Sequence, residues 1–358
     1  MDEACGRLRA HGVALSTADG RSLLVGDAAL AAQVLEGEAF SSAIMGDGGV
    51  PMRCPRTGAA VRPRDTLLAS DGAQHARLRA VVIDALRDGE PRPAALAANA
   101  AQMAARLRRR DSCEFVADFA IPFSDRAAAA TLGIPDGELA DFAHEVEAMW
   151  EALAGRLGDR ARFEGAMSRM VDRLHRALSA EDGAVTAAAA LGRAWRAGHC
   201  SALEALGMAV AILQGMTRTS AMLAAGALRD GLLRCEARFP AHESAQRWVE
   251  RALRERPPVH TITRIALREA RLGTHVVPAG TPVAVCLRAL RGDRLWAFGH
   301  GPHACPGGRT GQAAAAAMVA AILDRLPGLR IDESACGPRP SHPIFSEPTR
   351  LPLRWTPA

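Results

Sequence analysis

Apolar residues recur every three or four positions over long stretches of this chain, at about 73–87, 95–109, 136–156, 163–180, 201–229, 243–254 and 310–325. That spacing matches the 3.6-residue turn of an α-helix and predicts helices there. The stretches are rich in Ala, Leu and Arg, which lose little side-chain freedom in a helix. Prolines at 51, 55, 63, 91, 93 and 135 punctuate the first half. From about 259 to 290 the period shortens. Val259-His-Thr-Ile-Thr263, Thr274-His-Val-Val277 and Val283-Ala-Val-Cys-Leu287 read as strands, with Pro278-Ala-Gly-Thr-Pro282 joining the last two as a hairpin turn. Arg350-Leu-Pro-Leu-Arg-Trp355 reads as a final strand. The expectation is a single mainly α domain over 1–358 with a small β region. Its helical parts fall at about 60–255 and 310–325, its β-rich parts at about 259–297 and 340–356.

Composition adds exclusions. The chain has 358 residues and a net charge of +5, but no basic run long enough to follow a nucleic-acid backbone, and aromatics make up only 4%. Arg106-Leu-Arg-Arg-Arg110 is the densest basic cluster and reads as a solvated helix end, with a partner-docking patch as the alternative. The eight cysteines (5, 54, 113, 200, 235, 286, 305 and 336) lack paired spacing, which argues against a disulfide framework or zinc site and for a reducing cytoplasm. The start, Met1-Asp-Glu-Ala-Cys-Gly-Arg7, carries acids and no long apolar stretch, so neither a leader nor a membrane anchor is expected.

Candidate chemistry concentrates in Phe298-Gly-His-Gly-Pro-His-Ala-Cys-Pro-Gly307. Cys305 lies in a glycine-rich turn, seven residues after Phe298 and just before an Ala-rich helix. Glycines let backbone N–H groups approach a sulfur, and an aromatic wall keeps it dry; a thiolate that ligates haem iron needs such a setting. This segment resembles the haem-binding loop of the cytochrome P-450 family, Phe-Gly-x-Gly-x-His-x-Cys-x-Gly, at every fixed position. The resemblance covers roughly residues 60–358. It implies a shortened cytochrome P-450 fold, haem b with Cys305 as axial ligand, and Phe298 and Gly307 beside that ligand. His75 and Arg79 of His75-Ala-Arg-Leu-Arg79, Arg264 and His303 look like the family's contacts to the haem propionates. A His and an Arg four residues apart share one helix face, so both can meet one carboxylate. Asp118-Phe-Ala-Ile-Pro122 and Leu132-Gly-Ile-Pro135 are similar to the segments entering and leaving the family's next core helix.

The sequence also departs from the family pattern. In Trp248-Val-Glu-Arg-Ala-Leu-Arg254, Arg251 stands where Glu-x-x-Arg needs its Glu, and Glu250 lies about 100° round the helix. The irregular meander before the haem loop is nearly gone, since Leu290-Arg-Gly-Asp-Arg-Leu-Trp-Ala297 runs straight into Phe298. The central helix changes too. By the resemblance, Gln214-Gly-Met-Thr-Arg-Thr219 stands over the iron, where family monooxygenases place a Gly and then an acid–Thr pair. Gly215 keeps room for a ligand, Thr217 takes the acid position and Arg218 the alcohol position, and Thr219 follows. Thr217 or Thr219 with water could relay protons, whereas Arg218 does not readily give one up. Arg218 has two readings: it turns away and pairs with an acid or a propionate, or it points into the pocket and grips an acidic substrate group.

The expected activity is that of a haem-thiolate oxidoreductase of monooxygenase type, with non-standard oxygen activation. Its substrate is expected to be a medium-sized, largely apolar small molecule of specialised bacterial metabolism. Leu213, Val259, His260, Ile262, Ile344 and Phe345 are the expected pocket residues, and a ferredoxin with its reductase is the expected electron source. No nucleic acid or membrane partner is expected, and the cytoplasm is the expected location. The alternatives are a peroxide-using or non-oxygenating haem enzyme with Arg218 as acid anchor, and a non-catalytic helper related to these enzymes.

Overall fold

The computed structural model describes residues 8, 15–16, 22–43, 52–53, 58, 60–61, 65–153, 160–180, 183–234, 240–290, 294–335 and 350–356. In chain order its elements are β1 (Leu15–Ser16), β2 (Leu23–Val25), α1 (Ala28–Glu36), β3 (Phe40–Ser41), β4 (Met52–Arg53), β5 (Ala60–Val61), α2 (Gly72–Gly89), α3 (Pro93–Leu107) and β6 (Ser112–Glu114). There follow α4 (Ile121–Leu132), α5 (Leu139–Leu153), α6 (Arg160–Leu178), α7 (Ala187–Arg196), α8 (Ala202–Leu233) and α9 (Ala241–Glu255). The chain continues with β7 (Thr261–Ala266), β8 (Ala270–Leu272), β9 (His275–Val277), β10 (Pro282–Cys286), α10 (Gly308–Arg325), β11 (Arg330–Ile331) and β12 (Pro352–Arg354).

The 32-residue α8 is the axis. Ser201 caps its start, accepting from the Glu204 N–H while Glu204 accepts from the Ser201 N–H. Most of α8 is buried, because α4, α7, α9 and α10 pack around it. The packing is closest where a Cβ on Gly231 would stand 2.1 Å from the Trp248 ring of α9, so the indole lies directly on the α8 backbone. Phe115, Phe119 and Phe123 stack beside these helices, their ring centroids 5.6 and 6.4 Å apart in turn.

A five-stranded sheet, in the order β1-β2-β10-β7-β3, carries a second, smaller core. There Val283 and Val285 meet Val34 and Leu35 of α1, and Trp296 of the following loop. The mainly α architecture with small sheets agrees with the sequence pattern, but three details differ. Helices α1 and α7 escape it because each is short and Ala-rich, with too few large apolar residues to mark a face. The stretch from 136 opens as a 3₁₀ turn, Asp136–Glu138, before α5. The expected hairpin between 274–277 and 283–287 does not form. β9 turns back on β8 through Gly273, at φ +60°, and β10 pairs with β7.

Candidate functional site

The glycines of the Cys305 loop do steric work. Gly299 and Gly301 sit at φ +71° and +70°, where a side chain would be strained, and each lets the chain reverse within a few residues. The Cys305 N–H donates to the Phe298 carbonyl at 2.8 Å, closing the loop on itself. Phe298 is half-buried and lies over Gly308 at the start of α10, where a Cβ would come within 3.0 Å of the ring. Arg79 of α2 donates to the Ala304 carbonyl at 2.6 Å, which fixes the residue just before the cysteine. Cys305 itself is exposed. The protein packed around its sulfur nevertheless desolvates the thiol and pushes it up, opposed by a hydrogen bond from the Gly307 N–H and by the positive charge of Arg79.

Beside this loop a polar cluster converges from four elements. His75 of α2 is buried, and its ring meets that of His303 with centroids 3.8 Å apart. Among the described residues the buried His75 Nε2 has no hydrogen-bond partner. Arg264 of β7 is buried and donates to the Thr263 carbonyl at 3.0 Å. Burial raises Asp71, but hydrogen bonds from Ser41, Ser42 and His303 outweigh it and hold the carboxyl below its usual value. Burial, with His75 and Arg264 nearby, lowers His303 to about 4, and burial with Arg79 lowers His75. Two neutral imidazoles, one lacking a partner, beside a buried guanidinium suit an incoming anion.

Across α8 the open position is Gly215. It is exposed in the middle of a mostly buried helix, and among the described residues no atom lies within 4 Å of where its Cβ would be. Thr219, one turn on, is half-buried on the same face, and its hydroxyl donates to the Gly215 carbonyl. Thr217 lies about 200° round the helix. It is wholly buried, accepting from the Trp150 indole N–H at 2.9 Å and donating to the Leu213 carbonyl at 3.0 Å. The alcohol on the open face is therefore Thr219, one position later than the sequence register suggests, and Arg218 precedes it.

Arg218 takes the first of its two readings. It is buried, with Nη1 3.0 Å from Asp125 of α4 and Nη2 paired with Glu147 of α5. Desolvation raises Asp125 to about 6 in spite of the attraction of Arg218.

Of the expected pocket residues, Leu213 is fully buried in the helical core and lines no open face, because it too lies about 200° from Gly215. Val259 and Ile262 are half-buried, and the Ile262 Cδ1 comes within 3.5 Å of where a Cβ on Gly299 would stand. His260 is buried, and its carbonyl accepts from the Leu287 N–H at 2.9 Å. Ile344 and Phe345 lie outside the described residues. Sequence reading missed Asp71, Ser41, Ser42, Asp125 and Glu147. Only Asp71 carried a signal, as the acid preceding α2 four residues before His75.

No family model matches the chain. Solved structures match it over nearly its whole length. CalO2 superposes at TM-score 0.83 with 24% identity, covering 99% of this chain and 96% of its own. CYP109Q5 from Chondromyces apiculatus gives TM-score 0.84 and 20% identity over 99% and 95% of the two chains. A protein described among unusual cytochrome P-450-like monooxygenases of microbial secondary metabolism gives 0.79 and 20% over 96% and 95%. At these identities the likeness establishes the fold, which is that of the cytochromes P-450.

Proposed function

We propose that the protein is a haem-thiolate oxidoreductase of the monooxygenase type. The observation that carries this reading is the meeting, on one fold, of an exposed Cys305 in a closed glycine loop with the His75–Arg79–Arg264–His303 cluster. The residues fit haem b. A buried imidazole nitrogen without a partner and a buried guanidinium would meet the propionates, Phe298 would wall the sulfur, and the open face at Gly215 leaves room on the other side. Bound haem would supply the redox chemistry and the activation of dioxygen or peroxide.

The chain's own residues would then divide the remaining work. The Gly307 N–H and Arg79 favour the thiolate over the thiol that burial would impose. Thr219 presents an exchangeable hydroxyl on the open face, now spent on the Gly215 carbonyl. Arg218 holds Asp125 and Glu147 and brings no ready proton, so proton supply to the site would rest on Thr219 and water. This supports oxygen activation that departs from the acid–alcohol scheme. With both Nη groups engaged, Arg218 does not support an acid-anchor role. The half-buried Val259 and Ile262 would bound a largely apolar, medium-sized substrate. The likeness to a monooxygenase of microbial secondary metabolism supports a place in specialised metabolism. Among the described residues no helix is long and apolar enough to cross a membrane. We place the enzyme in the cytoplasm, with a ferredoxin and its reductase as electron source.

Purified protein supplied with haem should bind it, and its reduced carbon monoxide adduct should show the red-shifted band of thiolate ligation. Cys305→Ala should abolish that band. Product formation with ferredoxin and its reductase, set against hydrogen peroxide alone, separates the oxygen-dependent from the peroxide-using reading. Protein that takes up no haem would overturn both and leave the helper reading.

A further inference from the structure

This inference rests on the haem-thiolate reading and concerns what holds the Cys305 loop in place. The resemblance implies a Glu-x-x-Arg lock on α9 and an arginine tether in the meander. Here Arg251 replaces the lock's Glu, and Arg254 is exposed on α9. Only residues 287–295 separate the end of β10 from the turn at Trp296. A loop that must present one sulfur within a fraction of an ångström still needs an anchor.

The structure supplies contacts from the opposite direction, at the end of α1. Gly301 lies so close to that helix end that a Cβ would stand 2.9 Å from the Leu35 carbonyl oxygen and 2.9 Å from the Glu36 Cγ. Together with φ +70°, this leaves glycine as the one residue that seats the loop there without displacement. The Nε2 of the neighbouring His300 lies within hydrogen-bonding reach of the Glu36 carboxylate. The Arg294 Nη1 approaches the same nitrogen at 2.6 Å, so Glu36 and Arg294 share it: carrying a proton it donates to Glu36, without one it accepts from Arg294. The Arg294 guanidinium also lies 5.2 Å from the Trp296 ring centroid, and that ring meets His300 edge-on at 5.4 Å. Trp296 is buried in the smaller core with Val34 and Leu35 of the same helix. From His300 the chain runs five residues to Cys305 within the closed loop.

We propose that Glu36 is a positioning residue for the axial cysteine, standing in from α1 for the lock that α9 has lost. The Glu36 side chain is 52% exposed, so the pair is worth little as bulk stability. Its effect falls on the geometry of the loop and hence on the iron–sulfur bond.

The test uses the haem-loaded, full-length protein and compares wild type with Glu36→Gln, Glu36→Asp, His300→Ala and Glu255→Gln. Glu255, at the end of α9, is a comparable, 44% exposed acid paired with Arg234 at the end of α8, and it serves as control. The readout is the fraction of the reduced carbon monoxide adduct that keeps the thiolate band, with the haem reduction potential and the melting temperature of the haem-free protein alongside. Glu36→Gln and His300→Ala should each raise the fraction lacking the band several-fold and shift the potential. Glu36→Asp should restore part of the signature, and Glu255→Gln should match wild type. The haem-free melting temperatures should stay within a degree or two of one another. Wild-type retention of the band in Glu36→Gln, or an equal loss in Glu255→Gln, overturns the proposal. Wild type that binds haem without a thiolate signature overturns instead the reading on which it rests.

Discussion

Replacing Arg218 by Ala tests what the central helix has become. In the wild type its guanidinium spans Asp125 on α4 and Glu147 on α5, and Asp125 is only 3% exposed. The substitution leaves Asp125 buried without its cation. Breaking a buried pair in this way costs about 3–5 kcal/mol, and because Asp125 can relieve part of that by taking up a proton we expect about 3 kcal/mol at pH 8. The pH dependence follows from the direction of the shift. Burial already raises Asp125 to about 6 with Arg218 beside it, and without that charge the value must climb further. A raised acid means that the folded state holds a proton which the unfolded state releases above its ordinary value of 3.8, so stability falls as pH rises through that window. The penalty of Arg218→Ala should therefore be largest at pH 8 and shrink toward pH 5. Urea unfolding at both pH values measures it, and adding Asp125→Asn should recover most of the loss. A loss below about 1 kcal/mol at pH 8 would refute the reasoning, given the buried-pair range above. So would a loss independent of pH. A tenfold drop in substrate affinity with unchanged stability would return Arg218 to the pocket.

The remaining expectations are narrower. Hydrogen bonds from Arg77 and the Ser201 N–H hold Glu204 at about 2, so its contribution is present above 4.5 and lost as pH falls toward 2. After allowing for the half-exposed Arg77, Glu204→Gln should remove about 2 kcal/mol of acid-sensitive stability, seen as a flatter unfolding profile between those pH values. Gly215→Ala should stabilise the haem-free protein by about 0.5–1 kcal/mol, since a helix favours Ala and the site is open, while Gly215→Leu should slow binding of a bulky phenylimidazole to the iron by at least tenfold; a destabilised Ala variant would place the residue in the core. Gly231→Ala should cost about 3 kcal/mol in chemical denaturation, because the Trp248 ring has no room to yield. A cost under about 1 kcal/mol would mean that α9 shifts freely.

How much of this was legible in the sequence depended on the range of the contacts. The long helices announce themselves through local periodicity, and the Cys305 loop through fixed spacing over ten residues, because in both cases the physical constraint lies within the segment that displays it. The β9–β10 hairpin misled for the same reason. A Pro-Gly turn between two apolar runs is a sound local signal, but β10 finds its partner in β7, and the choice is made by burial of Val283 and Val285 against α1. Asp125 and Glu147 gave no signal, since each is an ordinary acid on an amphipathic helix until tertiary packing brings it to Arg218.

The register of α8 shows how one residue changes the chemistry assigned to a helix. Over Gln214–Thr219 the residue types allow the pair to be read as Thr217–Arg218 or as Arg218–Thr219, and one position is a rotation of about 100°. The ambiguity is resolved by what surrounds the helix. Trp150 takes the Thr217 hydroxyl into the core, and the two acids pull Arg218 aside. Thr219 is left on the open face with Gly215. Arg218 beside that alcohol is neutralised by Asp125 of α4 and Glu147 of α5. On the function proposed above, a proton source for the open face would be reached through Thr219 and water, and oxygen- and peroxide-dependent turnover are the measurements that should separate first.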